Sequence, residues 1–158
     1  MATHPSADPP VAEYAGQLFF RLWRASHIRA ADALGSVGLT PALFGLLNVI
    51  AARAGAIQQE LGTVMGIDRS TMVSLIDQLE SAGLAKRRPS ATDRRAREIG
   101  ITPKGRRLLQ RARRMISQVE DEVLAGLTAE ERRELVTLLR RALDSAPTQP
   151  LWSSEEGD

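Results

Sequence analysis

Residues 58–102, QQELGTVMGIDRSTMVSLIDQLESAGLAKRRPSATDRRAREIGIT, read as a short helix, a tight turn, a second helix and a basic hairpin. Leu61, Val64 and Met65 supply an apolar i, i+3, i+4 face. Gly66 stands where the first helix should stop, because glycine enters the left-handed conformation without a Cβ penalty. Ile67 plugs the turn, and Asp68 is placed to cap the next helix. There Met72, Ile76 and Leu79 share a stripe flanked by Val73 and Leu75, while Arg69, Ser70, Thr71 and Ser74 lie off it near the N-terminal end. Small hydroxyls and an arginine at the front of a second helix suit the reading of base edges in a major groove. Gly83 closes that helix and Leu84–Ala85 opens a strand. Pro89, Ser90, Thr92 and Asp93 are turn formers in a loop that carries Lys86, Arg87, Arg88, Arg94, Arg95 and Arg97. Glu98 to Ile101 returns as an alternating strand. The pattern predicts a winged helix-turn-helix.

From Gly66 to Gly105, GIDRSTMVSLIDQLESAGLAKRRPSATDRRAREIGITPKG resembles the MarR family of bacterial transcriptional regulators. Asp93-Arg94-Arg95 matches the family's D-x-R wing signature, and Ile101 to Gly105 matches its exit from the wing into a long helix. The resemblance spans roughly residues 11–145. It implies a homodimer on pseudo-palindromic double-stranded DNA, most often a repressor, released in many members by a small molecule. It also implies that Arg95 enters the minor groove and Asp93 holds the wing's shape; the sequence does not separate Arg94 from Arg95. One departure is Ile57, which stands where the family places a capping threonine. A cap of that kind is worth about 1 kcal/mol, and its absence leaves Gln58 as the candidate phosphate contact at that helix start.

Outside this unit the chain is helical. Residues 1–10 and 146–158 lack periodicity and are expected to be tails. Residues 11–34 form a long helix on which Leu18, Leu22 and Ala25 make a stripe widened by Phe19, Phe20, Trp23 and Ile28. After Gly35-Ser36-Val37-Gly38, Thr40 caps and Pro41 opens a helix to about Arg53 that is apolar nearly all round, hence central and buried. Thr102 and Pro103 likewise start a helix to about Ala125, stopped by Gly126. Thr128 and Glu131 form a capping box for a last helix expected to bury Leu135, Leu138, Leu139 and Ala142. The expected fold is mainly α with a small β-hairpin wing: a winged helix-turn-helix at 41–102, between dimerisation helices at 11–34 and 103–145. The end helices carry more apolar surface than one small core absorbs. A twofold pairing would cover them and set two recognition helices one DNA turn apart, ~34–36 Å.

At 158 residues and 43% apolar content the chain suffices for one domain, with an aliphatic core because only three Phe, one Tyr and two Trp are present. The net charge is +2, yet residues 86–114 hold twelve Lys/Arg against Asp93 and Glu98, so the remainder carries −8. That concentration is the footprint of a polyanion site; a solvated charged face is the plainer alternative. Arg87, Arg88 and Arg97 are placed for phosphates, or for water alone. Cysteine is absent, which excludes disulfides and the thiol switch of one MarR branch. No cofactor or metal site is expected from two histidines. Neither a catalytic set nor a Gly-rich phosphate loop is present, so an enzyme is not expected. No apolar run reaches membrane-spanning length, and the expected location is the cytoplasm. For an effector, which would be aromatic or anionic, Trp23, His27, Phe44 and Arg53 are candidate liners, though each also fits plain core or surface. Two other readings stay open: a helical interaction adaptor on a winged-helix scaffold, and a nonspecific DNA binder.

Overall fold

Local capping chemistry starts most of the helices where the sequence places them. A computed structural model describes residues 14–90 and 97–146 as α1 (Ala15–Gly35), α2 (Pro41–Ala52), α3 (Gln58–Met65), α4 (Arg69–Ser81), β1 (Ala85–Pro89), β2 (Arg97–Ile101), α5 (Pro103–Val123) and α6 (Ala129–Ser145). Thr40 Oγ1 accepts from the Leu43 N–H at 3.2 Å, and Thr102 Oγ1 from the Gly105 N–H at 3.0 Å. Thr128 Oγ1 accepts from the Glu131 N–H while the Glu131 carboxylate takes the Thr128 N–H at 2.7 Å. At α3 the capping residue Ile57 offers no acceptor, but half of a capping box survives. Glu60 Oε2 takes the Ile57 N–H at 3.1 Å, which satisfies one orphan donor without the threonine. The expected tails, residues 1–10 and nearly all of 146–158, lie outside the described residues.

The core is aliphatic and centred on α2. Leu43, Leu46, Leu47 and Ile50 meet Leu61 of α3, Met72, Ile76 and Leu79 of α4, Ile99 of β2 and Leu109 and Ala112 of α5. Burial of each large aliphatic side chain stabilises the fold by roughly 1.5–3 kcal/mol. β1 and β2 pair antiparallel, Ala85 opposite Ile101 and Arg87 opposite Ile99. A third segment joins this hairpin, which periodicity did not indicate. Ile57 bridges to Glu98, and the Ile99 N–H donates to the Ala56 carbonyl at 2.9 Å.

The end helices behave differently. α1 packs on α5, yet Leu18, Phe19, Phe20, Trp23 and Ile28 remain exposed, Phe20 by 59%. α6 buries no residue at all. The expectation that it buries Leu135, Leu138, Leu139 and Ala142 is therefore corrected for a single chain. Leu135 and Leu139 are half-buried, while Leu138 and Ala142 are exposed. The periodicity along α6 is present, but no surface among the described residues of the same chain buries it. Among the described residues no helix is long and apolar enough to cross a membrane.

Candidate nucleic-acid interface

The turn between α3 and α4 is built on backbone geometry. Gly66 has φ 60°, the left-handed conformation, and its N–H caps α3 on the Gly62 and Thr63 carbonyls. The Ile67 N–H then reaches back to the Gly62 carbonyl at 3.0 Å. Asp68 follows as N-cap and does more than cap. One carboxylate oxygen accepts from the Thr71 N–H at 2.9 Å and the Ser70 hydroxyl at 2.6 Å, and the other from the Thr71 hydroxyl at 2.6 Å. The Ser70 hydroxyl, followed by the hydroxyl and main-chain N–H of Thr71, holds the Asp68 carboxyl well below the usual carboxylate range.

This arrangement sets the polarity of the helix front. With both hydroxyl protons committed to Asp68, Ser70 and Thr71 turn lone pairs outward and can accept, as from the amino groups of adenine or cytosine. Arg69, at the first helical position, and Ser74, one turn on, are exposed. Gln78 Nε2 donates to the Ser74 hydroxyl at 3.3 Å. Gln58, at the start of α3, is half-buried.

Because the Asp68 pKa is depressed on folding, its contribution is present above the ordinary carboxylate range near pH 4 and fades as pH falls further. At neutral pH Asp68→Asn should melt below the wild type, and thermal scans should show the gap closing below about pH 4. A gap that ignores pH would mean the carboxylate's charge is not what holds the turn.

The wing's strands divide their basic residues between two faces. Ala85, Arg87 and Pro89 share a face with Ile101, Ile99 and Arg97, of which Ala85, Ile99 and Ile101 are buried; Lys86 and Arg88 lie on the other, opposite Gly100 and Glu98. Lys86, Arg88 and Arg97 are exposed. Arg87 is directed inward, toward α4. Its guanidinium pairs with Asp77 at 2.7 Å and with Glu80, and its own N–H donates to Glu80 Oε1 at 2.6 Å. Burial opposes the charge of Arg87, but the two carboxylates outweigh it and raise the pKa above the ordinary arginine value. The side chain expected on a phosphate is thus engaged within the protein. The signal was available in the period-two alternation from Ala85 and in the i, i+3 spacing of Asp77 and Glu80. Asp93, Arg94 and Arg95 lie outside the described residues.

The base of α4 is tied to α5. Lys104 Nζ donates to the Ala82 carbonyl at 2.7 Å, and the Thr102 hydroxyl to the Gly83 carbonyl at 2.7 Å. Arg106, Arg107, Arg111 and Arg114 are exposed along α5, whereas Arg113 Nε donates to Asn48 of α2 at 2.8 Å. The candidate effector liners are only partly brought together. Trp23 stacks on His27 with centroids 4.9 Å apart, both exposed on α1. Phe44 packs against the core, and Arg53 lies exposed at the end of α2.

The sequence model of the MarR family matches residues 37–96, from the turn before α2 to the residue before β2. A protein of Thauera aromatica, described as a transcriptional regulatory protein for the hcr operon, is 37% identical over 131 residues. The match covers 80% of this chain and 79% of that one. The chain belongs to the MarR family of transcriptional regulators. Solved structures agree with this MarR-family assignment. The transcriptional repressor CouR, bound to a 23-mer DNA duplex, superposes with TM-score 0.74 at 29% identity, over 85% of this chain and 94% of that one. A mutant E. coli MarR complexed with operator DNA gives TM-score 0.71 at 26% identity, over 81% and 92%. The mainly helical winged-helix fold expected from residues 58–102 is the fold of these proteins.

Proposed function

We propose that this MarR-family chain is a sequence-specific DNA-binding repressor that acts as a homodimer in the cytoplasm, without catalytic activity of its own. The supporting observation is the front of α4: Arg69, Ser70, Thr71 and Ser74 stand exposed beyond a glycine-stopped α3, and Lys86, Arg88 and Arg97 are exposed on the wing strands. Residues 41–102 form the reading unit in this proposal, and 11–34 with 103–145 the dimerisation helices. Arg69 and the hydroxyls read base edges, Gln58, Arg88 and Arg97 position phosphates, and Arg95 enters the minor groove with Asp93 supporting the wing. CouR and the E. coli MarR mutant, both solved with DNA, support the same reading. An aromatic effector would find a ready platform in the Trp23–His27 stack, and an anionic one a cation in Arg53.

Fluorescence anisotropy against the duplex upstream of the chain's own gene, beside a scrambled duplex at several salt concentrations, tests this proposal. Preference for the promoter and a steep loss of affinity with salt are expected. Arg69→Ala should cost roughly 1–3 kcal/mol of discrimination at one base pair per half-site. Equal binding to both duplexes would reduce the protein to a nonspecific DNA binder, and binding to neither at low salt would refute the operator reading for that promoter.

A further inference from the structure

Two features of the Arg87 cluster are not explained by charge. An arginine on the wing of a DNA-binding protein is withheld from the phosphates, and two carboxylates stand at the wing's base, where their sign opposes DNA. Stability is a weak explanation, since the Arg87 and Glu80 side chains are 28% and 29% exposed and pairs so exposed contribute little. Geometry explains both. Glu80 grips the same strand residue twice, at its main-chain N–H at 2.6 Å and at guanidinium Nη1, and Asp77 one turn earlier holds that same Nη1 at 2.7 Å. One nitrogen held by two carboxylates of one helix, with the main-chain N–H of the same residue held by Glu80, fixes the direction of the strand as well as its distance. On the neighbouring side of the junction, Lys104 and Thr102 hold the Ala82 and Gly83 carbonyls that end α4. β1 therefore cannot swing against α4 without breaking the cluster.

We propose that Arg87, with Asp77 and Glu80, is a positioning residue for DNA recognition: the cluster sets the angle of the wing to α4, so that minor-groove and major-groove contacts are made together. The proposal rests on the DNA-binding reading above. Arg87 touches no DNA in it and acts through the wing.

The test uses the full-length chain and a duplex recovered by in vitro selection with the wild type, with a scrambled duplex as control. Glu80→Gln raises the net charge by one, so phosphate attraction alone would tighten binding. The brace requires the opposite, a loss of about tenfold, the scale of one lost groove contact. Arg87→Lys keeps the charge but is one atom shorter, which withdraws its nitrogen from Asp77 and Glu80. A phosphate contact would survive it nearly intact, whereas the brace predicts a loss like that of Glu80→Gln. Asp77→Asn, at the more exposed partner, should lose less in the same direction, and it serves if Glu80→Gln folds poorly. Footprinting separates positioning from general weakening. Hydroxyl-radical protection of the minor groove beside the wing should fade while protection of guanine N7 in the major groove persists. Tighter or unchanged binding by Glu80→Gln, wild-type binding by Arg87→Lys, or parallel loss of both protections would each overturn the proposal. Failure of the wild type to select any duplex would instead overturn the DNA-binding reading, and this proposal with it.

Discussion

Gly105→Ala is expected to lower the thermal midpoint by about 10 °C, even though it replaces a helical glycine with the best helix former. Intrinsic propensity favours the change by about 1 kcal/mol. The site forbids it. A Cβ at Gly105 would lie 2.1 Å from the Leu84 carbonyl oxygen and 2.9 Å from Ile101 Cγ1. The Leu84 carbonyl cannot yield cheaply. It already accepts from the Thr102 N–H at 3.0 Å, and Leu84 is buried. Overpacking against side chains costs about 1–3 kcal/mol, and against pinned backbone the upper end or beyond. A net loss of about 3 kcal/mol converts to roughly that shift in midpoint for a chain of this size. Thermal unfolding at matched protein concentration checks it, since association makes the midpoint depend on concentration. A midpoint at or above the wild type would show that the start of α5 does not press on the α4–β1 junction.

Leu138→Glu is expected to convert the protein from two chains to one in light scattering and to weaken operator binding by at least about a hundredfold. Within one chain this change should be nearly neutral, because Leu138 is 51% exposed and surface substitutions usually fall within about 0.5 kcal/mol. The predicted loss comes wholly from the partner. A carboxylate buried unpaired in an apolar interface costs several kcal/mol, and a monomer forfeits the second half-site. Phe20→Glu on α1 should act in the same direction. If both variants stay dimeric and bind DNA as the wild type does, the exposed faces of α1 and α6 do not form the interface.

Much of the reading unit was legible because its signals are local. A glycine that must enter φ 60°, an aspartate one residue before a helix, and Thr-Pro pairs at two helix starts each act within four residues. Ile57 lacks the threonine's acceptor, yet the Glu60 carboxylate still supplies the other half of the capping box by taking the Ile57 N–H. The apolar period of α6 is present as well, yet Leu138 and Ala142 on it are exposed in the single chain. A hydrophobic stripe records that a surface will be covered, not which chain covers it.

By itself the sequence determined the order of helices and strands, the aliphatic core on α2 and the exposed polar front of α4. These follow from capping, backbone permissiveness and apolar spacing along a single element. Tertiary structure decided two other matters. It added Ala56–Ile57 to the wing sheet, and it turned Arg87 away from the phosphate face onto Asp77 and Glu80. Side-chain type states which hydrogen bonds and ion pairs a residue can make, whereas register and the approach of neighbouring elements determine which it does make.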